Sequence, residues 1–166
     1  ISASLVGSEM CIRDSFRTAA TYDRESLVYR EDRHKIGTYF YHRWGTSPGR
    51  MVTELLARDL SQSGYYQAVQ PGRTPVHSDY YLTGHVEKIE ESTTTDGCSA
   101  HLTLRVLLTH NDTPLFQSTY QQSESCPCNS PLELTQALST ALATISTTLQ
   151  AEAYAAIAAA QQQTQE

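Results

Sequence analysis

Three consecutive stretches of two-residue alternation constrain this chain more than anything else in it. Over residues 79–90, Tyr80, Leu82, Gly84 and Val86 fall on one face and Tyr81, Thr83, His85 and Glu87 on the other. Over 99–109, Ala100, Leu102, Leu104, Val106 and Leu108 alternate with His101, Thr103 and Arg105. Over 115–125, Phe116, Ser118 and Tyr120 alternate with Gln117, Thr119 and Gln121. A period of two belongs to strands, whose successive side chains point to opposite sides. Turn-forming residues occupy 92–97 and 111–114, so the three strands read as a meander with one apolar face to be covered.

Two amphipathic segments are available to cover it. Ser47-Pro48 is a helix start, with Pro where its missing N–H costs nothing. Met51, Val52, Leu55, Leu56 and Leu60 then recur at helical spacing, and Gly64 closes the segment. Ser130-Pro131-Leu132-Glu133 is a capping box, followed by a stripe of Leu134, Leu138, Ala141, Leu142, Ile145 and Leu149. Past Gln150 the stripe thins to Ala and Gln, with Ile157 the last large apolar residue. A helix of about 30 residues would be roughly 45 Å long, so residues 151–163 are expected to protrude, fray or meet another subunit.

Upstream, Leu27–Arg30 and Lys35–Tyr41 read as a strand hairpin, and Tyr65–Val69 as a short strand. The order ββαβ, then βββ, then α predicts an α+β fold. An antiparallel sheet would carry both helices on one face as a two-layer sandwich. Residues 16–166 form one domain on this reading. Residues 1–15 share no periodicity with it and are expected to be non-native or disordered.

Charge excludes one large class of function. The net charge is −6, with 12 Lys and Arg against 18 Asp and Glu and no basic stripe. That disfavours binding to nucleic acid. No run of 18 apolar residues is present to span a membrane as a helix.

The cysteines can be tested against strand register. The apolar faces of 99–109 and 115–125 both fall on even numbers, so paired residues must have position numbers with an even sum. A sum of 224 sets Cys98 opposite Cys126, and a sum of 226 sets it opposite Cys128. A cross-strand disulfide between Cys98 and Cys126 is expected, with Cys128 the alternative partner. Such a bond points to an oxidising compartment.

Two groups of residues invite a chemical reading. His85, Glu87 and His101 fall on one face of neighbouring strands, and two imidazoles with a carboxylate can hold a metal. That face is the solvated side of an antiparallel sheet, where such residues belong in any case, so no metal site is expected. The second group is Tyr39-Phe40-Tyr41-His42-Arg43-Trp44, rich in the residues that anchor interfaces. The stretch can serve as a recognition surface or as packing for the strand–helix corner: Trp44 reads as the corner's anchor, and Tyr39, Tyr41 and Arg43 fit either role. No nucleophile elbow, phosphate loop, dinucleotide fingerprint or zinc-protease motif occurs. Neither catalysis nor a cofactor is expected.

The stretch from Tyr39 to Pro48, followed by Leu55, Leu60 and Gly64-Tyr65-Tyr66-Gln67-Ala68-Val69, resembles the central signature of the ABC-type transport auxiliary lipoprotein family. Tyr81-Leu82-Thr83-Gly84-His85-Val86-Glu87-Lys88-Ile89-Glu90 is similar to that family's next strand, with its Leu-Xaa-Gly core and acidic tail. The resemblance spans about residues 26–150. It implies a non-catalytic periplasmic lipoprotein at the outer membrane. It also implies partners among ABC transporter subunits and mammalian-cell-entry-type (MCE) lipid-binding proteins, as for the paraquat-inducible protein C type. Cys11 follows Ser8-Glu9-Met10, not the Leu-small-small that lipoprotein processing requires, so the implied anchor cysteine lies outside this sequence. Homo-oligomerisation is compatible with the Ala- and Gln-rich tail. A different class of function would be a small-ligand or lipid binder, with a pocket between sheet and helices lined by Tyr39, Tyr41 and Tyr81.

Overall fold

A computed structural model describes residues 8–12, 16–71 and 78–163. In chain order these form β1 (Glu9–Ile12), β2 (Arg17–Thr18), β3 (Ser26–Arg30), β4 (Ile36–Arg43), α1 (Pro48–Gln62) and β5 (Ala68–Pro71), then β6 (Tyr80–Thr94), β7 (Gly97–His110), β8 (Thr113–Cys126) and α2 (Pro131–Gln163). From β3 onward this is the expected ββαβ–βββ–α order.

The three alternating stretches form the body of the sheet. β7 lies antiparallel between β6 and β8, with Leu104 paired to Val86 on one side and Tyr120 on the other. The opposite edge of β6 is filled by three short pieces in succession, all parallel to it. β1 lies beside Tyr80–Leu82, β2 beside His85–Val86 and β3 beside Glu91–Ser92. β1 pairs onward with β5 and β3 with β4, giving a mixed sheet of eight strands. The sheet is therefore not purely antiparallel. Strand direction is set by the connections between strands, and alternation within a strand carries no record of it.

The domain does not begin at residue 16. Glu9–Ile12 is a strand between β5 and β6, and Met10 and Ile12 have no exposed surface. Residues 1–7 and 13–15 lie outside the described residues.

Both helices pack on the face carrying Leu82, Val86, Leu102, Leu104, Val106 and Leu108, together with Leu56 and Leu60 from α1 and Ile145 and Leu149 from α2. The α2 tail does not protrude. Ala153 and Ile157 are fully buried, the Tyr154 ring lies 4.8 Å from that of Tyr65, and Gln161 donates to Ser8 Oγ at 3.0 Å. β1 and β5 widen the sheet beyond what the meander alone provides, so the end of the helix has a layer to cover.

Two close approaches depend on glycine. A Cβ on Gly84 would meet the Phe16 ring at 2.2 Å, and one on Gly49 would meet the Phe16 carbonyl oxygen at 1.9 Å. The Phe16 N–H donates to Thr53 Oγ1, whose hydroxyl donates to the Gly49 carbonyl. Phe16 thus ties the start of α1 to the centre of β6.

Candidate functional site

An irregularity in the β3–β4 pairing builds the most exposed apolar feature of the domain. Between Thr38 and Arg43 β4 advances five residues, while β3 advances two, from Val28 to Ser26. The surplus leaves the ladder as a bulge, carrying Phe40 and Tyr41 outward. Their side chains are 79% and 85% exposed, and their rings touch edge to face at 4.8 Å. β4 pairs only with β3 among the described residues, so these rings stand at a sheet edge.

The rest of the aromatic stretch is tied down. The Tyr39 hydroxyl donates to Glu91 at 3.1 Å and its ring meets Tyr29 edge-on at 5.4 Å. Burial first, and then the Glu91 charge, push the Tyr39 phenol up from its ordinary value. Trp44 packs partly against the core, and its backbone N–H donates to the Glu25 carbonyl at 2.5 Å. Arg43 lies 3.8 Å from Glu25 with both side chains mostly exposed, a pairing that contributes little in water.

Across from this strand end lies the start of α2. Leu27, Tyr41 and Arg43 face Ser130, Leu132 and Thr135 over an open cleft of about 500 Å³. Leu132 is 66% exposed. The aromatic rings, a guanidinium and an exposed leucine thus share one corner.

A disulfide fixes the far wall of that corner, with a partner other than the one first expected. Cys98 is bonded to Cys128, with Cα atoms 5.1 Å apart, although Cys126 is its cross-strand neighbour in the ladder. β8 ends at Cys126, Pro127 begins a turn, and Asn129 takes a left-handed φ of 54°. The turn folds residue 128 back over Cys98. Cys126 is left as a half-buried thiol, pushed up by burial and by the charge of Glu91.

Beside the corner lie two buried carboxylates that alternation does not reveal. Glu90 accepts from Arg30 Nε at 2.7 Å, from its Nη2 at 3.1 Å and from the Tyr22 hydroxyl at 2.6 Å. Burial alone would push the Glu90 carboxyl up. The bonds from Arg30 and Tyr22, with the charge of Arg30, more than offset that and hold it below its ordinary value. Tyr22 is pushed up to about 12, by burial first and by Glu90 second. The signal in the sequence was the pair of adjacent glutamates, one of which must face inward on any strand.

Tyr81 is elsewhere. It lies in register with Cys11 of β1, and its hydroxyl accepts from the Ser78 N–H at 3.3 Å. Ten residues along β6 separate it from Glu91, roughly 33 Å at strand rise. The structure therefore does not bring Tyr81 together with Tyr39 and Tyr41. The layer between sheet and helices, where that pocket was expected, is filled by the core.

The polar face of the sheet holds the histidines. An extra residue at Glu87 shifts the β6–β7 register, so His101 lies opposite Glu90 and His85 opposite Arg105. Glu87 pairs with Arg105 at 3.2 Å, and His101 Nε2 shares a hydrogen bond with Ser99 Oγ at 2.9 Å. Burial and then the nearby Lys88 push the His101 imidazole below its ordinary value. Glu87 and His101 border a shallow groove of about 590 Å³ that does not include His85. Among the described residues no three potential ligands converge on a metal-sized space.

The family described as ABC-type transport auxiliary lipoprotein component matches residues 17–150. The chain belongs to that family. In the Leu82-Thr83-Gly84 stretch that carries part of the resemblance, the Phe16 ring seated on Gly84 gives the physical reason for the glycine. Protein XCC0632 from Xanthomonas campestris, assigned to DUF330, superposes with a TM-score of 0.85 at 18% identity, covering 99% of this chain and 92% of that one. The PelC dodecamer from Paraburkholderia phytofirmans superposes with a TM-score of 0.54 at 17% identity over 89% and 91% of the two chains. At these identities the likeness is one of fold. No curated protein matches the chain. Among the described residues no helix is long and apolar enough to cross a membrane.

Proposed function

We propose that this protein is a non-catalytic periplasmic subunit of an MCE-associated ABC-type transport system for lipids or other apolar compounds. On this reading it is held at the outer membrane by a lipid anchor and serves as a docking or scaffold component. The observation that carries the proposal is the exposed corner of Phe40, Tyr41 and Leu132. Rings carried out on a bulge at an open strand edge, beside Arg43, suit burial against another protein. The polar groove on the opposite face offers no comparable apolar anchor. Self-association belongs to the same reading, since the structurally similar PelC forms a dodecamer.

The test is co-purification from the native envelope. The tagged protein is expected to bring down its MCE-type partner, and the Phe40→Ser/Tyr41→Ser variant to lose it while remaining folded. Equal capture by both would remove the corner from the account. The cleft of about 500 Å³ favours one second reading, a bound lipid or small apolar ligand between Tyr41 and Leu132. Native mass spectrometry of the protein purified without detergent distinguishes it, since a bound lipid adds a discrete mass.

A further inference from the structure

Three cysteines meet at the base of the β7–β8 hairpin. Cys98 is bonded to Cys128, yet the residue facing it across the ladder is Cys126, which holds a free thiol. Directly opposed residues of an antiparallel pair have Cα atoms about 4.5–5.5 Å apart. That lies inside the range of about 4.4–6.8 Å that a disulfide spans. Either cysteine is therefore within reach of Cys98, and Pro127 alone separates the two competitors.

We propose that this trio is a thiol–disulfide exchange site, in which the bond to Cys98 migrates between Cys128 and Cys126. The Cys126 thiolate attacks Cys98 Sγ. A Cys98–Cys126 bond forms, the Cys98–Cys128 bond breaks, and Cys128 leaves with the electron pair as a thiolate. The proton lost from Cys126 is balanced by the one Cys128 takes up, so no outside oxidant or reductant is consumed.

The surroundings of the two competitors differ. Burial first and then the charge of Glu91 push the half-buried Cys126 thiol up, partly offset by the Ala100 N–H donated to its sulfur, which slows the attack without barring it. Cys128 is exposed in the turn just before Pro131, which opens the 33 residues of α2. A departing thiolate there meets water and the positive end of a helix, the setting that stabilises such a leaving group. The same turn leads into Ser130, one wall of the cleft facing Tyr41 and Arg43. Migration of the bond would free that wall and expose a reactive thiol on it.

The experiment labels the folded wild-type chain with iodoacetamide in the absence of reductant, quenches with acid, and reads each cysteine by tandem mass spectrometry. The expected result is label on both Cys126 and Cys128, with a Cys98–Cys126 linked peptide accumulating as Cys128 is trapped. In Cys126→Ser, label on Cys128 should fall to background. In Cys128→Ser, equilibrated with a glutathione couple and shown to be folded by circular dichroism, Cys98 should bond Cys126. Wild-type label confined to Cys126, with the Cys98–Cys128 peptide intact throughout, would overturn the proposal. So would a folded Cys128→Ser chain that keeps Cys98 and Cys126 as thiols.

Discussion

Replacing Arg30 by Met keeps the length and apolar stem of the side chain and removes only its charge and donors. Glu90, 1% exposed, then keeps the Tyr22 hydroxyl and a weak contact with Lys88 Nζ at 3.7 Å. Removing one partner of a buried ion pair costs about 3–5 kcal/mol, because the remaining charge is stranded. The surviving Tyr22 bond and the Lys88 charge place this case near the lower end, about 3 kcal/mol. In the wild type the Glu90 carboxyl is held below its unfolded value, so its contribution is full above the unfolded pKa and is lost as pH falls through the folded one. In Arg30→Met burial prevails and the folded pKa rises above the unfolded one. The penalty is then full at neutral pH and disappears as pH falls below the unfolded carboxylate range of about 4.3. Urea unfolding of both proteins at pH 7 and pH 4 should show the gap narrowing, and Arg30→Met/Glu90→Gln should recover most of it at pH 7. A gap under about 1 kcal/mol at pH 7, or one that widens in acid, would refute the reasoning.

Ile157→Ala should cost about 2–4 kcal/mol in urea unfolding, since its side chain is fully buried; a near-neutral result would return the α2 tail to solvent. Gly84→Val should lower the melting temperature sharply, because the Phe16 ring occupies the space a Cβ needs, and Phe16→Ala should partly rescue it. His101→Ala should change stability by less than about 0.5 kcal/mol, and metal analysis of the purified protein should find no zinc approaching one per chain.

The sheet body and both helices were legible because their apolar residues keep a single period over ten or more positions. Parity narrowed the β7–β8 register to two choices, and the one that sets Cys98 opposite Cys126 is the one observed. Features made by irregularity were not legible. β1 and β2 are four and two residues long, too short for alternation to register, so the parallel half of the sheet left no mark. The bulge at Glu87 reverses which parity faces the core, from Leu82 and Val86 to Ile89, and it sets His101 opposite Glu90. The larger bulge after Thr38 made Tyr41 exposed while Tyr39 turned in to Glu91. Burial of Glu90 depends on Arg30, sixty residues earlier, and no local pattern announces such a pairing. The choice of Cys128 over Cys126 was decided by a turn that strand register does not describe.

On the proposed reading, the corner at the end of β4 is where this protein meets its transport partner. The most direct measurement is the affinity of the purified domain for its MCE-type partner, compared among wild type, Phe40→Ser/Tyr41→Ser and a control, Tyr81→Ser, at the far end of β6. An aromatic hot spot costs about 2 kcal/mol or more when truncated, so even one such anchor in the pair makes the double variant bind at least about thirtyfold more weakly. The Tyr81→Ser control should bind like wild type. If the corner variant retains full affinity while the Tyr81 variant loses it, docking occurs at the opposite end and the account is wrong.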